Sequence, residues 1–179
     1  MNETKAGTTP KIVVHNIKVH RDMSQETLCY LAVIEVNGVK AIAASNRGEG
    51  GPDNHDVHHT YGRPPTDKQR KAFDKAMGTL EAYAKTLPAH QYRDISIQPD
   101  AESLILDAVL AADELKKMRR MLKNHVVVRD NMGHVYSLKA AYEDRLIPAV
   151  MKSYQGGTIL NGMPEDEALK LWMAEPSEE

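Results

Sequence analysis

Apolar and polar residues alternate with a period of two through residues 11–21 (KIVVHNIKVHR). Val13, His15, Ile17 and Val19 fall on one side, and Val14, Asn16, Lys18 and His20 on the other. That spacing predicts a β-strand with one wetter face. Residues 27–36 (TLCYLAVIEV) are rich in β-branched and aromatic side chains and apolar on both faces, which predicts a central strand. Asn37-Gly38 follows, a pair that tolerates the positive φ angles of a type I′ hairpin turn. Residues 39–45 return as a third strand, completing a β-meander.

Residues 46–65 (NRGEGGPDNHDVHHTYGRPP) break the pattern, being rich in glycine and proline and almost free of apolar side chains. They predict an irregular surface loop, and a loop of this length inside a compact domain is commonly functional. Helical periodicity begins at Thr66-Asp67, where Phe73, Met77, Leu80, Ala84 and Leu87 form one apolar stripe that Pro88 ends. A short extended piece is expected over residues 92–98 through Ile95 and Ile97. Pro99-Asp100 opens a second helix carrying Leu104, Ala108, Ala111, Leu115, Met118 and Leu122. Residues 125–129 and 134–138 read as a second hairpin. A third helix is expected over 139–154, interrupted at Pro148, then a short strand over 158–161 and a last helix from Pro164 through Met173.

Strands first as an antiparallel run and helices later predict an α+β fold. The expected organisation is a flexible arm over residues 1–10, one α+β domain over 11–174 and an acidic, mobile tail over 175–179. Residues 46–65 and 88–99 are the places where composition would put a boundary.

Composition narrows the function classes. The chain has 179 residues, 41% hydrophobic and 27% charged, with a formal charge of −2. It is therefore a globular chain whose net charge does not recommend the whole molecule to nucleic acid or anionic lipid. A single cysteine forms no internal disulfide and points to a reducing compartment. Residues 1–10 are polar and no apolar run approaches a membrane span, so the expectation is a cytoplasmic protein with no membrane partner.

Three groups of residues could carry chemistry. Asn46, Arg47, Gly48, Gly50 and Gly51 leave the third strand in a glycine-rich turn whose amides could converge on an anion or a close-packed partner. The spacing is neither a P-loop nor a dinucleotide fingerprint. His55, His58 and His59, with Asp53 and Asp56 among them, carry donors suited to a transition metal. Lys116, Arg119, Arg120 and Lys123 share one face of the second helix, a cationic ridge that Arg47, Arg63 and Lys68 could extend. Ser24, Ser45 and Ser137 have no base at motif spacing, so no hydrolytic triad is indicated. Cys29 reads as a small buried hydrophobe, and Trp172 as either an anchor onto the body, which is the expectation, or an exposed partner contact.

The strand, the Asn-Gly hairpin and the loop Ser45-Asn46-Arg47-Gly48-Glu49-Gly50-Gly51 together resemble small uncharacterised proteins of bacteria, prophages and phages. Met23-Ser24-Gln25-Glu26-Thr27 and Ile159-Leu160-Asn161 are similar to further short motifs of that group. The resemblance implies an origin in mobile or defence-related gene neighbourhoods, and an accessory binding protein such as an inhibitor or sensor. The expected function is accordingly non-enzymatic. A protein or nucleic-acid partner would be contacted through residues 46–65 and the basic ridge, without a cofactor. One alternative is a metal-dependent hydrolase or nuclease built on His55, His58 and His59 with a divalent ion. Another is a nucleotide or other phosphate-ligand binder using the glycine amides.

Overall fold

A computed structural model describes residues 9–176. Most of the expected arm (1–8) and of the expected tail (177–179) lies outside the described residues. The fold is α+β, and the chain divides into two compact units, Met1–Ala112 and Asp113–Glu179. The division falls within a helix rather than at residues 46–65 or 88–99, because both of those segments are tied into the first unit.

In the first unit, β1 (Ile12–Val19), β2 (Tyr30–Val36), β3 (Val39–Asn46) and β4 (Asn54–Val57) form an antiparallel sheet in that order. Asn37 (φ 50°) and Gly38 (φ 87°) make the β2–β3 turn. In β1 the register shifts between His15 and Lys18, where Asn16 takes φ 53°. This bulge bends the edge strand and re-phases its alternation, so Ile12 and Val14 pack on the core with Ile17 and Val19, and the expected grouping of Val13 and His15 with Ile17 and Val19 does not hold. Tyr30, Ala32, Ile34 and Val36 of β2 point inward with Ile42 and Ala44 of β3. They share a core with Ala76 and Leu80 of α1 (Asp67–Ala84) and with Ala101, Ile105 and Val109 of α2 (Ala101–Asn124). Each large side chain fully buried there contributes about 1.5–3 kcal/mol.

Local chemistry sets the helix starts. Thr66 accepts from the Gln69 amide while the Gln69 side chain accepts from the Thr66 amide, a reciprocal cap. Asp100 and Ser103 exchange equivalent bonds at the start of α2. Between the helices, the expected extended piece is a small hairpin, β5 (His90–Tyr92) and β6 (Ile95–Ile97), every residue of which is exposed.

One correction concerns residues 46–65, which are not wholly irregular. β4 lies inside them and pairs with β3 through Ala43↔Asp56 and Ala44↔His55. The polar β4 sequence gives no strand pattern of its own, and the open edge of β3 supplies the hydrogen bonds that make it one.

The second unit holds β7 (Val126–Arg129), β8 (Val135–Leu138), α3 (Ile147–Ser153), β9 (Thr158–Ile159) and α4 (Glu165–Met173), with sheet order β8-β7-β9. Met118 of α2, Val127, Leu160 and Ala168 form its core, with Trp172 packed against it. The helix expected over 139–154 is shorter than the sequence suggests. A 3₁₀ turn at Asp144–Leu146 leads into α3, and Pro148 occupies the first helical turn, where its missing N–H costs nothing. Cys29 is buried and Trp172 donates its indole N–H to Glu114 Oε2 (2.9 Å), both as expected.

Candidate functional site

Asn46 ends β3 on the inward face, opposite Tyr30, and is 9% exposed. Burial obliges its amide to find partners. Its Oδ1 accepts from the Gly48 N–H (2.8 Å) and the Thr27 hydroxyl (2.7 Å), and its Nδ2 donates to Asp53 Oδ1 (2.8 Å). The other Asp53 oxygen accepts from the Tyr30 hydroxyl, and the Asp53 N–H donates to Glu102 Oε1 (2.7 Å). Burial first, and the neighbouring Asp53 carboxylate second, push the Tyr30 hydroxyl well above the ordinary tyrosine pKa.

The glycine turn closes onto the same hub. The Gly48 carbonyl accepts from the Gln25 (2.8 Å) and Glu26 (3.0 Å) amides, and the Gly50 N–H donates to the Thr27 hydroxyl (3.2 Å). Gly48 has φ 86°, and a Cβ there would lie 2.2 Å from the Met23 carbonyl oxygen. Glycine is required at this position by conformation and by contact alike. Because the Gly48 and Gly50 amides donate internally, they do not converge outward as an anion nest would require. The loop is stitched to the body through Thr27, Asn46 and Asp53.

Its outward face is open. Ser45, Asn46, Arg47, Glu49, Gly50, Pro52 and Asn54 line a polar concavity of about 440 Å³. Ser45 and Asn54 also belong to a depression of about 360 Å³ on the outer face of the sheet. Its floor is Leu31, Val33 and Ala43, and Lys18 and Asp56 stand at its edge. Leu31 is 54% exposed. The two depressions form one surface, an apolar floor bordered by charges of both signs. Beside Val33, the His15 imidazole meets the Glu35 carboxylate at 2.9 Å.

The other candidates are dispersed. Arg63 is exposed beyond β4. His55 is half-buried on β4, with a buried Nε2 that has no hydrogen-bond partner. His58 lines a depression beside α1, and the His59 ring pairs with the Val57 carbonyl (2.7 Å). Among the described residues, no group of three or more His, Cys, Asp or Glu side chains is placed to hold a metal ion.

Lys116, Arg119, Arg120 and Lys123 are exposed on the part of α2 that belongs to the second unit. Arg119 grips Glu165 through two hydrogen bonds (2.5 and 2.6 Å). That grip raises the guanidinium pKa and lowers that of the Glu165 carboxyl. Among the described residues, Lys116, Arg120 and Lys123 are the ridge's cations without an ion pair.

Sequence reasoning missed the outer sheet face and the Tyr30–Asp53 bond. The signal for the first was present, since β2 is apolar on both sides. A strand covered on both faces and one left open on the second face have the same pattern.

No family model, curated protein or solved structure matches this chain. No helix among the described residues is long and apolar enough to cross a membrane.

Proposed function

We propose that the chain is a non-enzymatic binding module that engages a protein partner through the outer face of its first sheet together with the glycine turn. The observation that carries this reading is the continuity of the two depressions. Leu31, Val33 and Ala43 supply an apolar floor, and Lys18, Arg47, Glu49 and Asp56 supply a charged border. An apolar centre inside a polar rim is the anatomy of a protein–protein interface. The acidic members of the border argue against a nucleic-acid backbone as occupant.

The stitched turn supports the same reading. A segment held by its own hydrogen bonds loses little conformational freedom on docking, which lowers the cost of association. The partner therefore meets a preformed surface rather than a segment that orders on contact. The resemblance to phage-borne proteins fits an accessory role, and the buried free thiol of Cys29 suits a reducing compartment.

Photo-crosslinking in the source cells tests the proposal. A crosslinker placed at Leu31 or Arg47 is expected to yield the same discrete protein adduct, which one at Lys123 does not form. Val33→Asp, introduced alongside, should abolish the adduct. Equal labelling at all three positions, or no adduct at Leu31 and Arg47, removes the outer face from the account.

A further inference from the structure

On the helix-covered side of the same sheet, α1 borders two further depressions. One, of about 410 Å³, is lined by Val39, Lys40, His58, Thr66, Lys68, Gln69 and Ala72. The other, of about 160 Å³, is lined by Val36, Asn37, Val39, Ala72, Lys75, Ala76 and Thr79. They share Val39 and Ala72, so a single shallow groove follows α1 from Thr66 to Thr79. At 1.5 Å per residue its length is about 20 Å.

The charged residues lining this groove are lysines. Lys40, His58, Lys68 and Lys75 stand in its walls and no acidic side chain lines it. Lys71 lies three residues from Lys68 and four from Lys75, with Asp67 four residues before it and Asp74 three after it. Lys40, Lys68, Lys71 and Lys75 form no ion pair within the described chain. The floor is aliphatic, and Val39 is 50% exposed on it.

We propose that this groove binds an acidic protein segment carrying aliphatic side chains. The unmatched lysines attract carboxylates, and Val39, Ala72 and Ala76 accept the aliphatic groups between them. Lys68 and Lys75 are separated along the helix axis by about 10 Å, close to the rise of one three-residue turn of a polyproline II segment, in which every third side chain returns to the same face. Carboxylates three residues apart therefore meet both. A single-stranded nucleic acid would share the electrostatics, but such sites stack bases on aromatic side chains, and the groove has none. This surface is separate from the outer face proposed above and does not depend on it.

The test uses the full chain and a fluorescein-labelled peptide of repeated Glu-Leu-Ala, followed by fluorescence anisotropy. Saturable binding is expected, weakened at least tenfold when NaCl is raised from about 0.05 to 0.3 M, since exposed charges are screened over that range. Lys40→Glu/Lys68→Glu/Lys75→Glu should weaken it at least tenfold while leaving the melting temperature within a few degrees. A Gln-Leu-Ala peptide should not bind. Leu31→Asp/Val33→Asp, which disables the outer face, should leave peptide affinity within twofold. The inference is overturned if the acidic peptide does not bind, if the triple variant binds it equally well, or if the outer-face variant loses it. Tighter binding of an oligothymidylate than of the peptide would overturn it in favour of nucleic acid.

Discussion

Two buried asparagines hold the two units together internally, and their surroundings differ in an instructive way. Asn46 (9% exposed) collects a hydroxyl, a glycine amide and the Asp53 carboxylate, which itself ties in Tyr30 and Glu102. Asn161 (7% exposed) bonds only backbone. Its Oδ1 accepts the Val127 N–H (2.7 Å), and its Nδ2 donates to the Leu122 (3.1 Å) and His125 (2.9 Å) carbonyls. The second arrangement fastens the end of α2 to β7 and β9 and leaves nothing over. The first fastens a surface turn, and the side chains not consumed in doing so, Arg47, Glu49 and Asn54, face an open concavity. The same amide thus closes a core in one unit and shapes an exposed surface in the other. The difference teaches that an internally bonded loop can still be a binding surface, because the bonds that fix it use its inward groups.

The comparison can be pressed from its strongest consequence downward. Asn161→Leu strands one buried amide and two carbonyls, and a loss of about 4 kcal/mol is expected. Hydrogen exchange at Val126–Val128 should report it first. Gly48→Ala combines a positive φ with a clash against the Met23 carbonyl, and about 3 kcal/mol is expected. Denaturant melts of these two variants rank the hubs, and a Gly48→Ala protein as stable as wild type would refute the stitched turn.

Tyr30→Phe removes one donor from Asp53 and should cost about 2 kcal/mol. The raised pKa of Tyr30 has a definite sign. The neutral hydroxyl is the form the fold stabilises, so its contribution is complete below the ordinary value of 10.0 and is lost as the pH rises above it. Alkaline unfolding should therefore be shallower in Tyr30→Phe than in wild type.

In the second unit, burial would raise the Glu114 pKa, but donation from Lys117 and from the Trp172 indole outweighs it and the net shift is downward. Stability from Glu114 is present above the ordinary carboxylate value of 4.5 and lost as the pH falls below it. Glu114→Gln should flatten that acid limb, with a smaller effect than the variants above. Smallest of all, Arg47→Glu should change stability by less than about 0.5 kcal/mol, since the side chain is exposed and has no bond to the described residues. Its effect belongs to partner binding.

The parts of the fold that were legible are those written in local chemistry. The strand character of β1 (though not its faces, which the bulge at Asn16 re-phases), the Asn37-Gly38 turn, the apolar stripes of α1 and α2 and the Asp130–Gly133 turn all act over a few residues. At that last turn, Asp130 Oδ1 accepts the Met132 and His134 amides. β4 was not legible, because Asn54, His55 and Asp56 have no strand preference and pair only because β3 offers an edge. Residues 139–146 were over-read as helix, since their composition allows one and nothing local forbids it before Pro148. At the candidate site, the need for glycine at position 48 could be seen from the sequence. The bond from its amide to the Asn46 side chain is a local Asx turn, whereas the Gln25 and Glu26 amides reach the Gly48 carbonyl, and Thr27 the Gly50 amide, only through the fold.

The order of strands and helices, the α+β class, and the points where the chain must turn follow from residue spacing and side-chain shape, which act on a residue and its near neighbours whatever the rest of the chain does. Which face of β2 is covered, which edge recruits β4, where the Gly48 carbonyl and the Gly50 amide spend their hydrogen bonds, and which lysines are left unmatched depend on groups far apart in sequence. Burial and pairing are properties of the assembled chain, and only its three-dimensional packing decided them.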